Sequence, residues 1–281
     1  MAAPSKVKAQ SLAGRLLLGF ESGIDGRTRL SRRYRNALFH FSKPYWDGQQ
    51  LVVQVLNPTA GVFENDRMES VVELDEGARA CLVSPSSTQV YAMPRNGTSR
   101  LEQTFRLSAG SALAVLPKWL VLHRGARYEQ RTRVELKQGC SLFLVDLISA
   151  GRNAFGEFLE YDRLMSSVDI TLNSKLLLRE RFTSGHSEKR WIWKSKGMPK
   201  THLATVYISF PDAAKICQEQ LLEIHGMASE SMMIGFTPIH EDFVTLRLFA
   251  ASAQHVHSAL FTIMSSIGQF TSISSVHKRV F

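Results

Sequence analysis

The chain has 281 residues and a mass of 31.5 kDa, and 44% of its residues are apolar, which is enough for a sizeable core and excludes general disorder. Its 34 Lys and Arg residues exceed its 25 Asp and Glu residues, so a net charge of +9 favours an acidic partner, whether nucleic acid, an anionic membrane or an acidic protein. The three cysteines form no CxxC pair, which disfavours a zinc ribbon, a thioredoxin motif and a disulfide framework and fits a reducing compartment. With no signal-peptide core and no long apolar span, we expect a cytoplasmic protein that does not cross a membrane.

Residues 11–182 are dominated by a period of two. Over 128–136, charged residues alternate with mostly uncharged ones, which is typical of a half-buried strand with one charged face. Segments 51–56, 111–116 and 141–148 are more continuously apolar, as expected for strands that are covered on both faces. Glycine or proline interrupts nearly every segment, so we predict β-structure throughout this region.

An internal repeat lies inside this region. The pattern Leu-x-x-Gly-small-x-apolar-x-apolar occurs three times, at residues 74–82, 107–115 and 136–144. Each unit reads as a strand, a glycine turn and a second strand, because glycine accepts the positive φ that a tight turn requires. A period of about 30 residues in β units favours stacked layers, as in a β-solenoid, over ordinary hairpins in a sandwich. The repeated glycines, Gly77, Gly110 and Gly139, should then occupy equivalent places in neighbouring layers.

The pattern changes near residue 200. Residues 183–201 are polar, basic and contain Gly and Pro, which predicts a loop. Residues 202–270 read as strand–helix–strand–strand–helix, with Ser252 as a candidate N-cap of the second helix. Residues 271–281 are predicted to be a flexible tail. We therefore expect residues 1–281 to form a single, mainly β domain of stacked, solenoid-like sheets with two α-helices in the C-terminal third.

The common catalytic motifs are missing from the sequence, which contains no GxSxG, P-loop, GxGxxG or HExxH. His255 and His257 lie two positions apart on a predicted helix, so they point to different faces and make a poor metal pair. An enzyme is therefore disfavoured. Two basic segments, 27–35 and the tryptophan-containing 189–196, keep a single-stranded nucleic-acid-binding protein as an alternative, although no RNP, KH or helix-turn-helix pattern accompanies them.

Two polar, turn-rich runs follow apolar strands and are candidates for function. The first covers residues 56–67, and the second covers residues 146–157. The second run places Asp146 inside an apolar strand and continues to Arg152. A buried carboxylate must be paired, hydrogen-bonded, metal-bound or protonated, so Asp146 is either the ion-pair partner of Arg152 or a functional group.

These two runs resemble the signature motifs of the urease accessory protein UreD family, also called UreH, and the resemblance covers residues 14–270. The residues that match the two motifs are Asn57, Pro58, Thr59, Gly61 and Asp66, and Gly151, Arg152, Gly156 and Glu157. Ala60 and Asn65 stand where the family usually has glycine. Asparagine tolerates the left-handed region of backbone conformation, whereas alanine would be strained if φ were positive there.

The resemblance implies a maturation factor rather than an enzyme. Proteins of this family bind apo-urease and recruit accessory protein F, which docks the GTPase accessory protein G, so that nickel reaches the urease active site. Nickel is therefore expected as a transient cargo, and a homodimer within a larger complex is a further expectation. The family fold, a mostly β helix-like stack with two α-helices, agrees with the repeat.

The family is also associated with an internal passage for nickel. Carboxylates attract a divalent cation but lack the imidazole and thiolate groups that would retain it. The resemblance assigns Asp66 and Glu157 to such a passage, and the setting of Asp146 adds a third carboxylate. We predict that these three line one internal, water-accessible space, that Arg152 neutralises one of them when nickel is absent, and that losing one carboxylate leaves folding intact.

Overall fold

The computed structural model describes residues 11–48, 50–186, 201–220 and 228–270, together with residues 273, 274, 276 and 278. Within these residues the protein is mainly β with two α-helices, as predicted. The strands are β1 (Ala13–Ser22), β2 (Thr28–Arg35), β3 (His40–Phe41), β4 (Tyr45–Asp47), β5 (Gln50–Leu56), β6 (Arg67–Leu74), β7 (Arg79–Val83), β8 (Thr88–Val90), β9 (Ser99–Leu107), β10 (Ala112–Leu116), β11 (Leu120–Leu122), β12 (Arg127–Leu136), β13 (Ser141–Ser149), β14 (Arg163–Leu172), β15 (Lys175–Ser184), β16 (His202–Ser209), β17 (Met232–His240) and β18 (Phe243–Ala250). The helices are α1 (Ala213–Gln220) and α2 (Ala253–Ser266).

The strands stack into a β-solenoid of about four turns. Sheet A has the strand order β15-β14-β12-β9-β6-β1-β2, and the main path of sheet B has the order β17-β18-β16-β13-β10-β7-β5-β3. In each central turn the chain runs along a strand of sheet A, turns, and returns along a strand of sheet B. Successive turns pair in parallel within both sheets, which gives the predicted stacked layers.

The sequence repeat coincides with these layers. Leu74, Leu107 and Leu136 face one another across adjacent strands of sheet A. The repeated glycines follow them at the turns into sheet B, with φ values of 71°, 65° and 75° for Gly77, Gly110 and Gly139. The predicted equivalence of the three glycines is therefore confirmed, and each of them uses a conformation that disfavours a side chain.

We expect Gly110→Val to lower the free energy of unfolding by about 1–2 kcal/mol, because φ is +65° while a Cβ atom would meet only the Gly77 backbone nitrogen, 4.0 Å away. Gly235→Val is the matched control, since nothing lies within 4 Å of an added Cβ and φ is not positive there. Urea denaturation measures both variants. An equal loss in the two would show that backbone conformation at the turn is not what matters.

Alternating charges cross the outer face of sheet A from layer to layer. Arg32 contacts Glu73 at 2.9 Å, Glu73 contacts Arg106 at 2.8 Å, and Arg106 contacts Glu135 at 3.1 Å. The glycine between the first two partners, Gly19, lies opposite both Arg32 and Glu73, and a Cβ atom there would meet the Arg32 side chain at 2.8 Å. The charged half of the period-two pattern is thus a cross-strand ladder of opposite charges.

A first apolar core, made of two clusters, lies between the two sheets, and a second lies between sheet B and the helices. Helix α2 begins at Ser252, whose hydroxyl accepts a hydrogen bond from the backbone N–H of His255, as expected for an N-cap. Val256, Leu260 and Ile263 of α2 are buried in the second core. Neither described helix has the length and apolar character needed to cross a bilayer.

The C-terminal third follows the predicted order of strands and helices where it is described. Strand β15 continues to Ser184, so it enters the predicted loop 183–201, of which residues 187–200 lie outside the described residues. The end of the first predicted helix also lies outside them. In the segment predicted to be a tail, Ile273 and Val276 are buried with the second core, so at least these two side chains belong to the packed fold.

Candidate functional site

The first motif forms a self-bonded turn immediately after β5. The side-chain oxygen of Asn57 accepts a hydrogen bond from the backbone N–H of Thr59 at 2.9 Å, and its amide nitrogen donates to the Gly61 carbonyl at 3.3 Å. The Thr59 hydroxyl donates to the same carbonyl at 2.7 Å. These contacts are typical of Asx turns, in which a side chain replaces a backbone partner. The polar residues of this motif therefore shape the loop.

Asp66 fixes the end of this loop. Its carboxylate is almost fully buried and accepts hydrogen bonds from the backbone N–H groups of Leu12 and Phe63, each at 2.8 Å. The residue before it, Asn65, has a φ of 64°, so asparagine occupies the left-handed position that the family gives to glycine. Ala60 does not have a positive φ. Both departures from the family signature are therefore compatible with the same loop.

The second motif is organised by an ion pair. The Arg152 Nε donates to the Glu157 carboxylate at 2.9 Å, a second guanidinium nitrogen contacts the other carboxylate oxygen, and the backbone N–H of Arg124 adds a third contact at 3.2 Å. The bonds from Arg152 are the main cause that lowers the pKa of Glu157 to about 2, and burial opposes them. The alternative pairing of Arg152 with Asp146 is wrong, because the guanidinium is already held in a two-point contact with Glu157.

The glycines of the second motif allow this loop to turn back on itself. Gly151 has a φ of 131°, and a Cβ atom there would collide with the backbone carbonyl of Glu157. Gly156 has a φ of 72° and ends a short 3-10 turn over Asn153–Phe155. The spacing of the motif thus brings the carboxylate of Glu157 back to Arg152.

Aromatic side chains connect the two motif loops along one side of the solenoid. The Phe63 and Tyr91 rings stack with centroids 4.8 Å apart, and Tyr91 contacts the His123 ring at 4.5 Å. Burial lowers the pKa of His123, and the nearby charge of Arg152 lowers it further. These three rings therefore form a row that begins in the first motif and ends near the guanidinium of the second motif.

Asp146 lies elsewhere, on β13 of sheet B, where it faces the interior. It lines a cavity of about 190 Å³ between the two sheets, well above the roughly 10–15 Å³ that one water needs. Inward-facing polar residues line the same cavity. They are Ser70, Gln103, Gln130 and Thr132 from sheet A and Tyr207 from sheet B.

A second cavity of about 200 Å³ meets the first at Asp146, since Asp146, Val168 and Tyr207 line both. It also contains Glu180, whose carboxylate accepts a hydrogen bond from the Tyr207 hydroxyl at 3.3 Å and pairs with Arg247 at 2.9 Å. Asp146 and Glu180 therefore belong to two polar spaces that share a wall.

The two cavities extend toward different parts of the surface. The first is bounded by Asn57 of the first motif, by Lys118 and by the exposed Ser86. The second is bounded by the exposed Arg181 and Arg247. Asp146 lies where the two linings overlap.

The environment of Asp146 favours its neutral form. Burial raises the pKa of Asp146 to about 6, and the negative charge of Glu180 raises it further. The Gln130 side chain donates to both carboxylate oxygens at 3.3 Å, which lowers the pKa and partly opposes this effect. Near pH 7 Asp146 is therefore mostly ionised, and a nearby cation would stabilise its carboxylate.

The structure does not bring the three predicted carboxylates together in these cavities, and their role toward a metal ion stays a prediction. Asp66 and Glu157 line neither cavity, and their carboxylates instead bind groups of their own loops and of neighbouring segments: Phe63 and Leu12 for Asp66, and Arg152 and the backbone N–H of Arg124 for Glu157. Asp146 does line an interior space. Glu180 was not among the predicted site residues, although it lies on an alternating strand, where an inward carboxylate is unusual.

Other candidate ligands have structural partners. His257 accepts a hydrogen bond from the Trp119 indole at 3.1 Å, and burial lowers the pKa of His257 to about 4. At the β17–β18 turn, ligand atoms of His240, Glu241 and Asp242 lie within 4.8 Å of one another. Asp242 already holds this turn, because its carboxylate accepts hydrogen bonds at 2.9 and 3.0 Å. Of the nucleic-acid candidates, segment 189–196 with both its tryptophans, Trp191 and Trp193, lies outside the described residues.

Comparison with known proteins gives a consistent result. The family model described as "UreD urease accessory protein" matches residues 12–280. A protein of Opitutus terrae named urease accessory protein UreD is 32% identical over 259 residues, which cover 92% of this chain and 94% of that protein. Proteins with the same name from Pseudomonas putida (strain GB-1) and Lachnoclostridium phytofermentans are 30% and 24% identical and cover 77% and 83% of this chain, and 74% and 86% of their own lengths. With both motif loops formed and the match spanning nearly its whole length, this chain belongs to the UreD urease accessory protein family.

Proposed function

We propose that the protein is a scaffold for urease maturation that binds apo-urease, recruits accessory proteins F and G, and lets nickel pass through its interior toward the urease active site. The observation that carries the passage is the pair of cavities, each lined by apolar and polar residues, that share Asp146. In this proposal the protein is not a catalyst, and nickel is a cargo that it releases.

The chemistry of the cavity walls supports a passage rather than a storage site. Their polar groups are mainly hydroxyls and amides, with the two carboxylates of Asp146 and Glu180 and, toward the surface, the cations Lys118, Arg181 and Arg247. Among the described lining residues there is neither histidine nor cysteine. Nickel binds imidazole and thiolate ligands more tightly than oxygen ligands, so in this proposal the two carboxylates attract the ion and the walls do not retain it. Weak binding at successive positions is what conduction requires.

In this proposal Arg247 neutralises Glu180 when no ion is present, as Arg152 neutralises Glu157. It pairs with Glu180 beside the second cavity and is itself exposed. A divalent ion that approaches Glu180 would compete with this guanidinium, which can move toward solvent because about half of the Arg247 side chain is exposed (51%). We propose that Glu180 and Asp146 are two successive, weak binding positions for the ion.

The partner assignments rest on family membership. The relatives are named urease accessory proteins, which supports a role in urease maturation. Binding to accessory protein F, indirect binding to the GTPase G, and a homodimer within the larger complex are proposals that extend this role. We propose the cytoplasm as the compartment, because the three cysteines are free and buried.

The test is activation of apo-urease by the complete set of accessory proteins at limiting nickel. We expect Asp146→Asn to reduce activation about three- to tenfold, because it removes charge but preserves shape, while complex formation is unchanged and excess nickel restores activity. Asp75→Asn is the matched control, since Asp75 is exposed and lines neither cavity. Urease activity and bound nickel per urease are both measured.

The pH dependence provides a second readout of the same variant. Because the pKa of Asp146 is about 6, its carboxylate is present at pH 7 and largely protonated at pH 5. The difference between native protein and Asp146→Asn should therefore shrink as pH falls through 6. Normal activation by the variant at limiting nickel would refute the passage, and loss of the complex would assign Asp146 a structural role.

A further inference from the structure

Strand β2 leaves one edge of sheet A open beyond its first residue, Thr28, whose carbonyl accepts a hydrogen bond from the Trp46 indole at 3.1 Å. Its inner side pairs with β1, and its outer side pairs with no strand in the part of the chain that is described. Six of its eight residues are exposed. An open edge presents backbone N–H and C=O groups that can pair with the backbone of another extended chain.

This edge carries an excess of positive charge. Segment 27–35 contains five arginines, of which Arg29 pairs with Asp25 at 3.1 Å and Arg32 pairs with Glu73 at 2.9 Å. The side chains of Arg27 and Arg33 make no ion pair with any described residue. The edge therefore has cations that the fold does not neutralise.

The arginines flank the edge on both faces of the sheet. Arg32 lies opposite Gly19 on the outer face, where it reaches Glu73, whereas the next residue, Arg33, lies opposite the buried Leu18 and so on the other face. An added strand also places successive side chains on alternate faces. An acidic extended peptide fits this arrangement, while a nucleic-acid strand lying on one face would reach only half of the cations.

The opposite edge of sheet A shows that arginine on an edge strand does not by itself leave free charge. On β15, Arg179 and Arg181 both pair with Asp169 of the neighbouring strand, at 3.1 and 3.0 Å. The charges of these two arginines are thus neutralised within the sheet. Arg27 and Arg33 differ from other unpaired arginines of sheet A in their place, because they lie on and beside the strand edge along which an added strand would run.

We propose that β2 binds an extended, acidic segment of another protein as an additional strand of sheet A. A second copy of this chain would place β2 against β2 and bring like charges together. The chain's own segments outside the described residues fit no better, since 1–10 has two lysines and no acid and 187–200 has five Lys or Arg and one Glu. This surface is separate from the cavities and does not depend on the nickel passage.

The test uses a fluorescent octapeptide, Thr-Glu-Glu-Val-Glu-Glu-Thr-Val, which places carboxylates on both faces of a strand. We expect saturable binding at low salt and slower hydrogen exchange of the backbone amides in residues 28–35. The same peptide N-methylated at alternate residues keeps its charge but loses N–H donors, and we expect about tenfold weaker binding. Fluorescence anisotropy measures both peptides on the native protein.

Variants test the charges. Arg27→Glu with Arg33→Glu removes no described ion pair, and we expect about tenfold or greater loss of peptide binding. Arg67→Glu with Arg163→Glu is the matched control, since these exposed arginines lie on other strands of sheet A and also lack described ion pairs; binding should change less than twofold. Circular dichroism verifies that both double variants are folded.

Three results would overturn the proposal. Equal binding of the methylated and unmethylated peptides would mean attraction by charge without an added strand. Tighter binding of oligo-dT that competes with the peptide would identify a nucleic-acid surface. No binding of the peptide by the native protein would leave the arginines only the role of preventing edge pairing. None of these results bears on activation at limiting nickel, so the two proposals fail independently.

Discussion

Gly151→Ala is expected to destabilise the protein by about 3–5 kcal/mol, enough to abolish most of the folded state of a marginally stable domain. The φ of 131° at Gly151 belongs to a region used almost only by glycine, which costs a side chain about 1–3 kcal/mol. In addition, the new Cβ atom would collide with the carbonyl group of Glu157, which is backbone and cannot rotate away. The loop could accept alanine only by moving Glu157 away from Arg152.

The neighbouring glycine of the same motif provides the control. Gly156 also has a positive φ, 72°, but nothing lies within 4 Å of an added Cβ atom. We expect Gly156→Ala to cost only about 1–2 kcal/mol, from backbone strain alone. Thermal and urea denaturation measure both variants. If Gly151→Ala were as stable as Gly156→Ala, close approach of the loop to Glu157 would not be the reason for glycine there.

The features of this fold that the sequence predicts are those determined by interactions between residues close together in the chain. Gly77, Gly110 and Gly139 mark turns because a positive φ excludes most other residues, and period-two alternation marks the strands between them. The equal spacing of the repeats then implies stacking, because each layer must bury its apolar face on the next. The N-cap at Ser252 is equally local.

The partners of Asp146 were not predictable in this way. Gln130 comes from sheet A across the interior, and Glu180 comes from β15, which pairs antiparallel after the repeats end. Such contacts depend on which strands face each other. One signal was nevertheless present, because Gln130 and Thr132 occupy inward positions of an alternating strand, and buried polar groups there require partners or water. Inward polar residues in successive layers thus predict a hydrated cavity.

For the motif residues, the sequence indicated which residues matter but not what they do. The resemblance drew attention to Asp66 and Glu157. The hydrogen bonds that decide the role of each carboxylate, however, come from chain segments far away in sequence. Asp66 accepts a hydrogen bond from Leu12, which is 54 residues away, and Glu157 accepts one from Arg124, which is 33 residues away. A carboxylate that holds backbone N–H groups stabilises a loop, whereas one that faces a cavity can attract an ion. Position relative to the cavity decides between these roles.

Because Glu157 stabilises its loop, we expect Glu157→Gln to lower the free energy of unfolding by about 2–3 kcal/mol at pH 7. Glutamine preserves size and one acceptor but removes the charge that Arg152 binds at two points, and Arg152 then remains partly buried without its counter-charge. The expectation that losing one carboxylate leaves folding intact should therefore fail at this position. Glu69→Gln is the matched control, because the Glu69–Arg15 pair is exposed and its loss should cost less than about 1 kcal/mol.

The pH dependence identifies the ion pair as the cause. The pKa of Glu157 falls from 4.5 to about 2 on folding, so at low pH the unfolded chain takes up the proton first. The stabilisation is therefore complete above about pH 4.5 and is lost as pH falls toward 2. Urea denaturation at pH 7 and pH 4 should show the gap between native protein and Glu157→Gln becoming smaller at pH 4, while the gap for Glu69→Gln stays small at both. A gap for Glu157→Gln that does not change with pH would mean that the glutamine disturbs packing and that the charge of Glu157 contributes little.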